Sequence, residues 1–409
     1  MSTRNILVAA AVAVAAAAVV AAPASAARGK NEFASAAGSG SACTAKKPCT
    51  LAQALKSATA GTTVHVRSGR YSGGVAVDKK IRLLAQGRVL IDASSSADGT
   101  GIHVVGPGGS GAVVQGFVVE NAKYEGILVG TSPGDAHPQP VPVHGVVIRN
   151  NIVEYNDKGI ATQDGECKDN PPTPGDCGEG LHLSAATGTV VENNVVAYNA
   201  GGILLTDEFG PTAHDTIRNN RVLNNLIDCG ITLAGHSGAA VDPKTGQRTG
   251  KAGVFDNLIE DNLSRNNGVM GEGGGILLGS GAPGSGVYGN VIRNNTAEYD
   301  GLSGITIHQH FAADMNDNTI EGNTVRLDNS LGDHDFDPPD LVPTGILVAS
   351  GAPPGANLPP FLLPGPVNGT VIKGNTISDV QIGIWTFNAP GDYSDNTFAS
   401  NVSTQVSNH

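Results

Sequence analysis

Aromatic residues make up only 4% of this 409-residue chain, and tryptophan occurs once, at position 385. A core with so few rings has to be assembled from Val, Ile, Leu and Ala. Charged residues are also scarce, at 15%, and the 25 lysines and arginines are outnumbered by 37 acids. The resulting formal charge of −12 argues against a nucleic-acid backbone or an anionic membrane surface as partner. The five cysteines include no C-x-x-C pair, which removes the argument for a zinc ribbon. Past residue 22 no apolar run is long enough to span a bilayer as a helix. What the chain has in quantity is glycine, 56 residues of it, as a turn-rich β structure requires.

The first 26 residues read as a secretory signal. Arg4 supplies the positive end, Ile6 to Ala22 the apolar stretch, and Ala24-Ser25-Ala26 a small-residue cleavage site. Residues 27–42 then read as a flexible N-terminus, 43–100 as a cap with the first coil, and 101–409 as a repeat array. For an exported chain, Cys43 with Cys49 and Cys167 with Cys177 are the economical local disulfides. Cys229 is left over, and its place before Gly230-Ile231 suits a buried thiol. Thr50 followed by LAQALKSA reads as a capped amphipathic helix, the expected cover for the open end of a solenoid.

The repeat is clearest at Asn193 to Gly210, NNVVAYNAGGILLTDEFG. Its pattern is Asn, an aliphatic residue, a polar turn, then Gly-Ile and an alternating strand. The same pattern recurs from Asn151 to Gly159, Asn220 to Gly230, Asn295 to Gly304 and Asn375 to Gly383, with eight to ten residues from Asn to Gly. Gly-Ile pairs, in contrast, are spaced irregularly, so insertions are confined to one phase of the repeat. That combination defines a solenoid of short strands. Each rung predicts three strands, around Asn193 to Gly210 at 189–192, 195–198 and 203–206. A stacked Asn at each turn would bond the backbone of the rungs above and below.

N-x-[VI] followed by Gly-Ile repeats behind a capping helix resembles the pectin-lyase-like superfamily. This resemblance implies an all-β fold, a right-handed parallel β-helix solenoid with a short N-terminal capping helix. The superfamily includes polysaccharide lyases, glycoside hydrolases, uronan epimerases, tailspikes, adhesins and chains without known catalysis, so chemistry has to come from the residues. The Asn-Thr-Asp and Gly-His-Gly motifs of polygalacturonases are missing. Asp337-Pro338-Pro339-Asp340 resembles the Asp-Pro-His-Asp motif of uronan epimerases but lacks its His, so that motif's role does not carry over.

In enzymes of this superfamily the Gly-Ile strand lines the substrate groove. If each Ile points inward, alternation turns His182, Thr206, Glu208, His236, His308, His310 and Trp385 outward. Asp164, Asp207, Asp228 and Glu272 lie at the ends of such strands or in the turns entering them. Rungs about 4.8 Å apart would let carboxylates on neighbouring rungs meet the separations used by retaining or inverting glycosidases. Candidate catalytic residues are therefore Asp207, Glu208, Asp164, Asp228, His236 and His308. Candidate substrate-binding residues are His182, Thr206, His310, Glu272 and Trp385, the last as a sugar-stacking ring.

Two metal readings compete for some of these side chains. His308 and His310, two apart on one strand, share a face and suit a transition ion with nearby acids. Separately, the D-x-D-x-D spacing of Asp333, Asp335 and Asp337 suggests calcium, although the glycine and closing Glu of an EF-hand are missing. No cofactor is required by the carboxylate chemistry.

No Lys or Arg falls on the predicted outward face. Lyases and epimerases of polyuronates need positive groups or calcium to neutralise the substrate carboxylate. The reading that follows is a secreted enzyme cleaving glycosidic bonds of a neutral or weakly charged glycan, with paired carboxylates and His assistance. A lyase or epimerase with a His base, and a non-catalytic glycan-binding or structural solenoid, are the alternatives.

Overall fold

The computed structural model describes residues 29–131, 142–159, 179–242, 244–270 and 273–409. The signal segment and the Cys167 and Cys177 pair lie outside them. Every named strand pairing is parallel, and strands stack rung on rung into a β-helix. One sheet holds the Gly-Ile strands, eleven of them among the described residues, running from Val75–Val77 to Thr404–Asn408. The other long faces are formed by three-residue strands such as Val190–Glu192 and Val195–Ala197. A fourth strand per rung, two residues long, escaped the sequence pattern: Ala186–Thr187, Thr212–Ala213 and Val254–Phe255 stack in a short sheet of their own.

Alternation inside each strand fills the interior. Ile148, Val191, Ile217, Ile259, Ile292 and Ile320 stack on one face, and Leu181, Ile203, Ile231, Ile276, Ile305 and Ile346 on another, all fully buried. Small aliphatic rows of this kind explain how the core forms with so few rings. Each interior side chain removes its apolar area from water against the same residue type one rung away.

The corners are held by asparagine. Asn151, Asn194, Asn220, Asn262, Asn295, Asn323, Asn375 and Asn396 form a continuous ladder, each Oδ1 accepting the backbone N–H of the preceding Asn. Their Nδ2 groups donate back to strand carbonyls such as Ile148 O and Val191 O. A corner in a solenoid leaves backbone groups with no sheet partner, and this side chain satisfies both kinds. The doubled Asn of the repeat has a second cause. The residue before each ladder Asn is left-handed, with φ of 55° at Asn150, 57° at Asn193 and 54° at Asn219, a conformation that Asn tolerates and β-branched residues do not.

At the N-terminal end, helix Leu51–Ser57 is capped by Thr50, whose Oγ1 accepts from Gln53 N at 3.2 Å. The expected flexibility of 27–42 does not hold throughout: Asn31–Ala34 is a strand paired in parallel with Thr63–Val66. Phe33 stacks on His65 and Ala34 is fully buried, so this segment gains contacts that a free tail would lack. The Cys43–Cys49 disulfide closes the loop between strand and helix, and Cys229 is a buried free thiol.

Candidate functional site

Parallel register sets the outward rows of the Gly-Ile sheet. One row reads His182, Leu204, Thr232, Leu277, Thr306, Leu347 and Trp385. The next reads Ser184, Thr206, Ala234, Gly279, His308, Ala349 and Phe387. Two residues further along the chain come Glu208, His236, Gly281, His310 and Gly351. The rung carrying Gly279 and Gly281 therefore has no side chain where its neighbours carry imidazoles. A Cβ on Gly279 would meet nothing nearer than Leu277 at 3.7 Å. These two glycines form a notch beyond Leu277, between the rung of His236 and that of His308 and His310, which lie two rungs or about 10 Å apart along the backbone.

On the first wall, His236 Nδ1 lies 3.0 Å from Glu208 Oε1. Hydrogen bonding to His236 lowers the Glu208 carboxyl pKa against the opposing effect of burial, and the His182 charge adds to the lowering. The opposite edge of the ring overhangs the notch floor: a Cβ at Gly281 would sit 2.9 Å from His236 Cδ2 and 3.5 Å from Nε2. Asp207, next to Glu208, is placed differently. It is fully buried, and its carboxylate accepts three backbone N–H groups, from His236 at 2.7 Å, Ser237 at 2.9 Å and Gly253 at 2.7 Å. Burial raises its pKa even so, because those three donors offset the desolvation only in part. Asp207 thus holds the loop that carries His236, and the expectation of Asp207 facing substrate is corrected. Asp228, half-buried, accepts from Cys229 N at 2.6 Å.

The second wall joins two features that the sequence kept apart. Residues 332–340 fold back over the sheet, so Asp333 Oδ2 meets His308 Nε2 at 2.7 Å. Asp335 Oδ2 lies 3.7 Å from His308 Nδ1 and 3.8 Å from His310 Nε2. Burial disfavours charge on His308, but the Asp333 carboxylate outweighs it and raises the imidazole pKa. Burial and the neighbouring His308 charge lower that of His310. Asp337 is exposed, and Asp333, Asp335 and Asp337 do not gather as one oxygen cage. Among the described residues, His308, His310 and Asp335 are the one group with ligand atoms all within 4.8 Å of one another.

Other expected contact residues are sequestered. His182 is buried between Glu125 Oε1 at 3.3 Å and Thr206 Oγ1 at 2.9 Å, and Thr206 is itself fully buried. Both therefore serve an internal network instead of contacting substrate. Trp385 is only 3% exposed, covered by Phe336 together with Leu347 and Ala349. It is a core residue beneath the folded-back loop and not a stacking platform. Asp164 and Glu272 lie outside the described residues. Sequence reasoning missed Glu125 and Phe336, and it missed the notch, although the alternation Leu277, Gly279, Gly281 was there to be read.

Among solved structures, the chain is similar to the A-module of mannuronan C-5 epimerase AlgE4 from Azotobacter vinelandii. That likeness has a TM-score of 0.51 at 17% identity, over 85% of this chain and 88% of that one. Endo-xylogalacturonan hydrolase from Aspergillus tubingensis is similar at 0.46 and 11% identity over 85% of both chains. Pectate lyase Pel9A is similar at 0.46 and 14%, over 90% of this chain and 78% of that one. The parallel stacking of the strands and the first of these likenesses establish the architecture: the protein is a right-handed parallel β-helix of the pectin-lyase-like fold. The profile of the family described as periplasmic copper-binding protein (NosD) matches residues 56–242, a span that ends before the second wall of the notch. No curated protein matches the chain.

Proposed function

We propose that this protein is a secreted carbohydrate-active enzyme that takes a glycan across the notch and cleaves a glycosidic bond there. The observation that carries this reading is the glycine rung between Glu208–His236 and His308–Asp333. It is one rung of glycines between two rungs that carry imidazoles, with titratable groups on both sides.

Within it, His236 is the acid–base group. Glu208 holds Nδ1 and so selects the tautomer and orientation of a ring whose Nε2 edge lies over Gly281, beside the position proposed for the sugar. With Asp207 held by three backbone N–H groups, the reading rests on a dyad of imidazole and carboxylate, His236 with Glu208. A His base also suits β-elimination, so the same geometry supports a lyase as second reading. The described strands of this sheet carry no Lys or Arg, which favours neutral or weakly charged glycans.

The test is an assay of the purified protein over a glycan panel for new reducing ends and for unsaturated products. New reducing ends without unsaturation support hydrolysis, and unsaturation supports elimination. Neither product from any glycan would overturn the enzymatic reading.

A further inference from the structure

We propose that His308, His310 and Asp335 form a binding site for a divalent transition ion of borderline softness, such as zinc, with one coordination position open towards the notch. The inference goes beyond the glycan reading and does not depend on it.

The donor set comes first. Two imidazoles and one carboxylate are the ligands that zinc and similar ions accept, whereas calcium takes oxygen alone. His308 Nδ1 and His310 Nε2 both face Asp335 Oδ2, at 3.7 and 3.8 Å. A tetrahedral ion with bonds of about 2.0–2.1 Å holds its ligand atoms roughly 3.3 Å apart. The two contacts to Asp335 therefore need to close by about 0.5 Å, and Asp335, whose side chain is 48% exposed, has the freedom to do so.

The outer contacts are those of a metal site. A ligating histidine generally gives its second ring nitrogen to a carboxylate or carbonyl, which fixes tautomer and orientation. Here His308 Nε2 pairs with Asp333 Oδ2 at 2.7 Å, and His310 Nδ1 lies 3.3 Å from Gly351 O. Asp333 is fixed in turn by Asp335 N, which donates to its Oδ1 at 2.9 Å. Phe336 locks both rings, stacking on His310 at 4.8 Å between centroids and meeting His308 edge-on at 4.9 Å. The rings are thus held in place before any ion arrives.

The open side follows from register. His308 pairs with Gly279, which has no side chain of its own, so a fourth ligand would come from solvent or from a molecule in the notch. Three protein ligands and an open position are the arrangement of a catalytic, not a structural, zinc site.

Titration calorimetry of the chelator-stripped, full-length protein with Zn²⁺ tests this, and Co²⁺ absorption spectroscopy on the unaltered protein provides a second reading. The expected result is one Zn²⁺ per chain with Kd below about 10 μM, no competition from excess Ca²⁺, and at least about tenfold weaker binding in H310Q and D335N. Co²⁺ should give the intense visible bands of a low-coordinate site. Weaker or non-stoichiometric Zn²⁺ binding, unchanged affinity in a folded D335N, or a purely octahedral Co²⁺ spectrum would overturn the site. No glycan is present in either measurement, so failure here leaves the Glu208–His236 reading intact, and failure of that reading leaves this one.

Discussion

Asp300 donates its backbone N–H to the Asp328 carboxylate at 2.9 Å, and both side chains are buried. They end the second corner ladder, which runs through Asn156, Asn199, Asn225 and Asn267 before Asp replaces Asn. Burial pushes the Asp300 pKa up to about 7, and burial with the Asp300 charge pushes that of Asp328 well above the usual carboxylate range.

A raised folded-state pKa means that the folded protein holds these protons more tightly than the unfolded chain. Stability from this pair is therefore present at acid pH and is lost as pH rises from about 4 to about 7 and beyond. The double variant D300N/D328N, which restores the amide ladder, should be more stable than the wild type by about 1–3 kcal/mol at pH 8. The gain should shrink towards pH 4. Thermal melts across that range check it.

Within the main ladder, position decides cost. Asn220 bonds Asn194 N, Val191 O and Asn262 Oδ1 in a fully enclosed corner. N220A strands a buried N–H and a carbonyl and should cost about 2–4 kcal/mol. Asn396 ends the ladder half-buried, so N396A should cost about 1 kcal/mol. Chemical denaturation of the two variants gives the comparison.

Asp207 and Glu208 are neighbours with opposite duties. Losing the three backbone bonds to Asp207 should make D207A less stable by about 2–4 kcal/mol. E208Q should melt within about 1 kcal/mol of wild type while lowering turnover at least tenfold, since it disturbs only the half-exposed pair with His236. Paired melts and rates separate the two.

Phe336 covers the only tryptophan of the chain. F336A should red-shift Trp385 emission by admitting water and destabilise the folded-back loop by about 3 kcal/mol. The emission spectrum reports it without interference from a second indole.

Much of the fold was legible because a solenoid repeats its physics. Asn151, Asn194 and Asn220 occupy identical corners, so each rung restates the same hydrogen-bonding need, and Ile203 and Ile231 restate the same interior. The site was only partly legible, because its residues meet through insertions that share no repeat. Alternation put Glu208, His236, His308 and His310 on one face. It could not show that Asp333 and Asp335 return to His308, or that Phe336 would cover Trp385. Asp207 looked equivalent to Glu208 in sequence, and only the path of the 236–253 loop shows its three backbone partners.

The central claim is that the glycine notch receives the glycan, and filling it is the direct test. Gly279 does not have a positive φ, and a Cβ there would meet Leu277 at an ordinary contact distance of 3.7 Å, so G279F should fold and melt as the wild type does. The account predicts that binding of any glycan recognised by the wild type, measured by calorimetry, falls at least tenfold in G279F. Undiminished binding in folded G279F would contradict it.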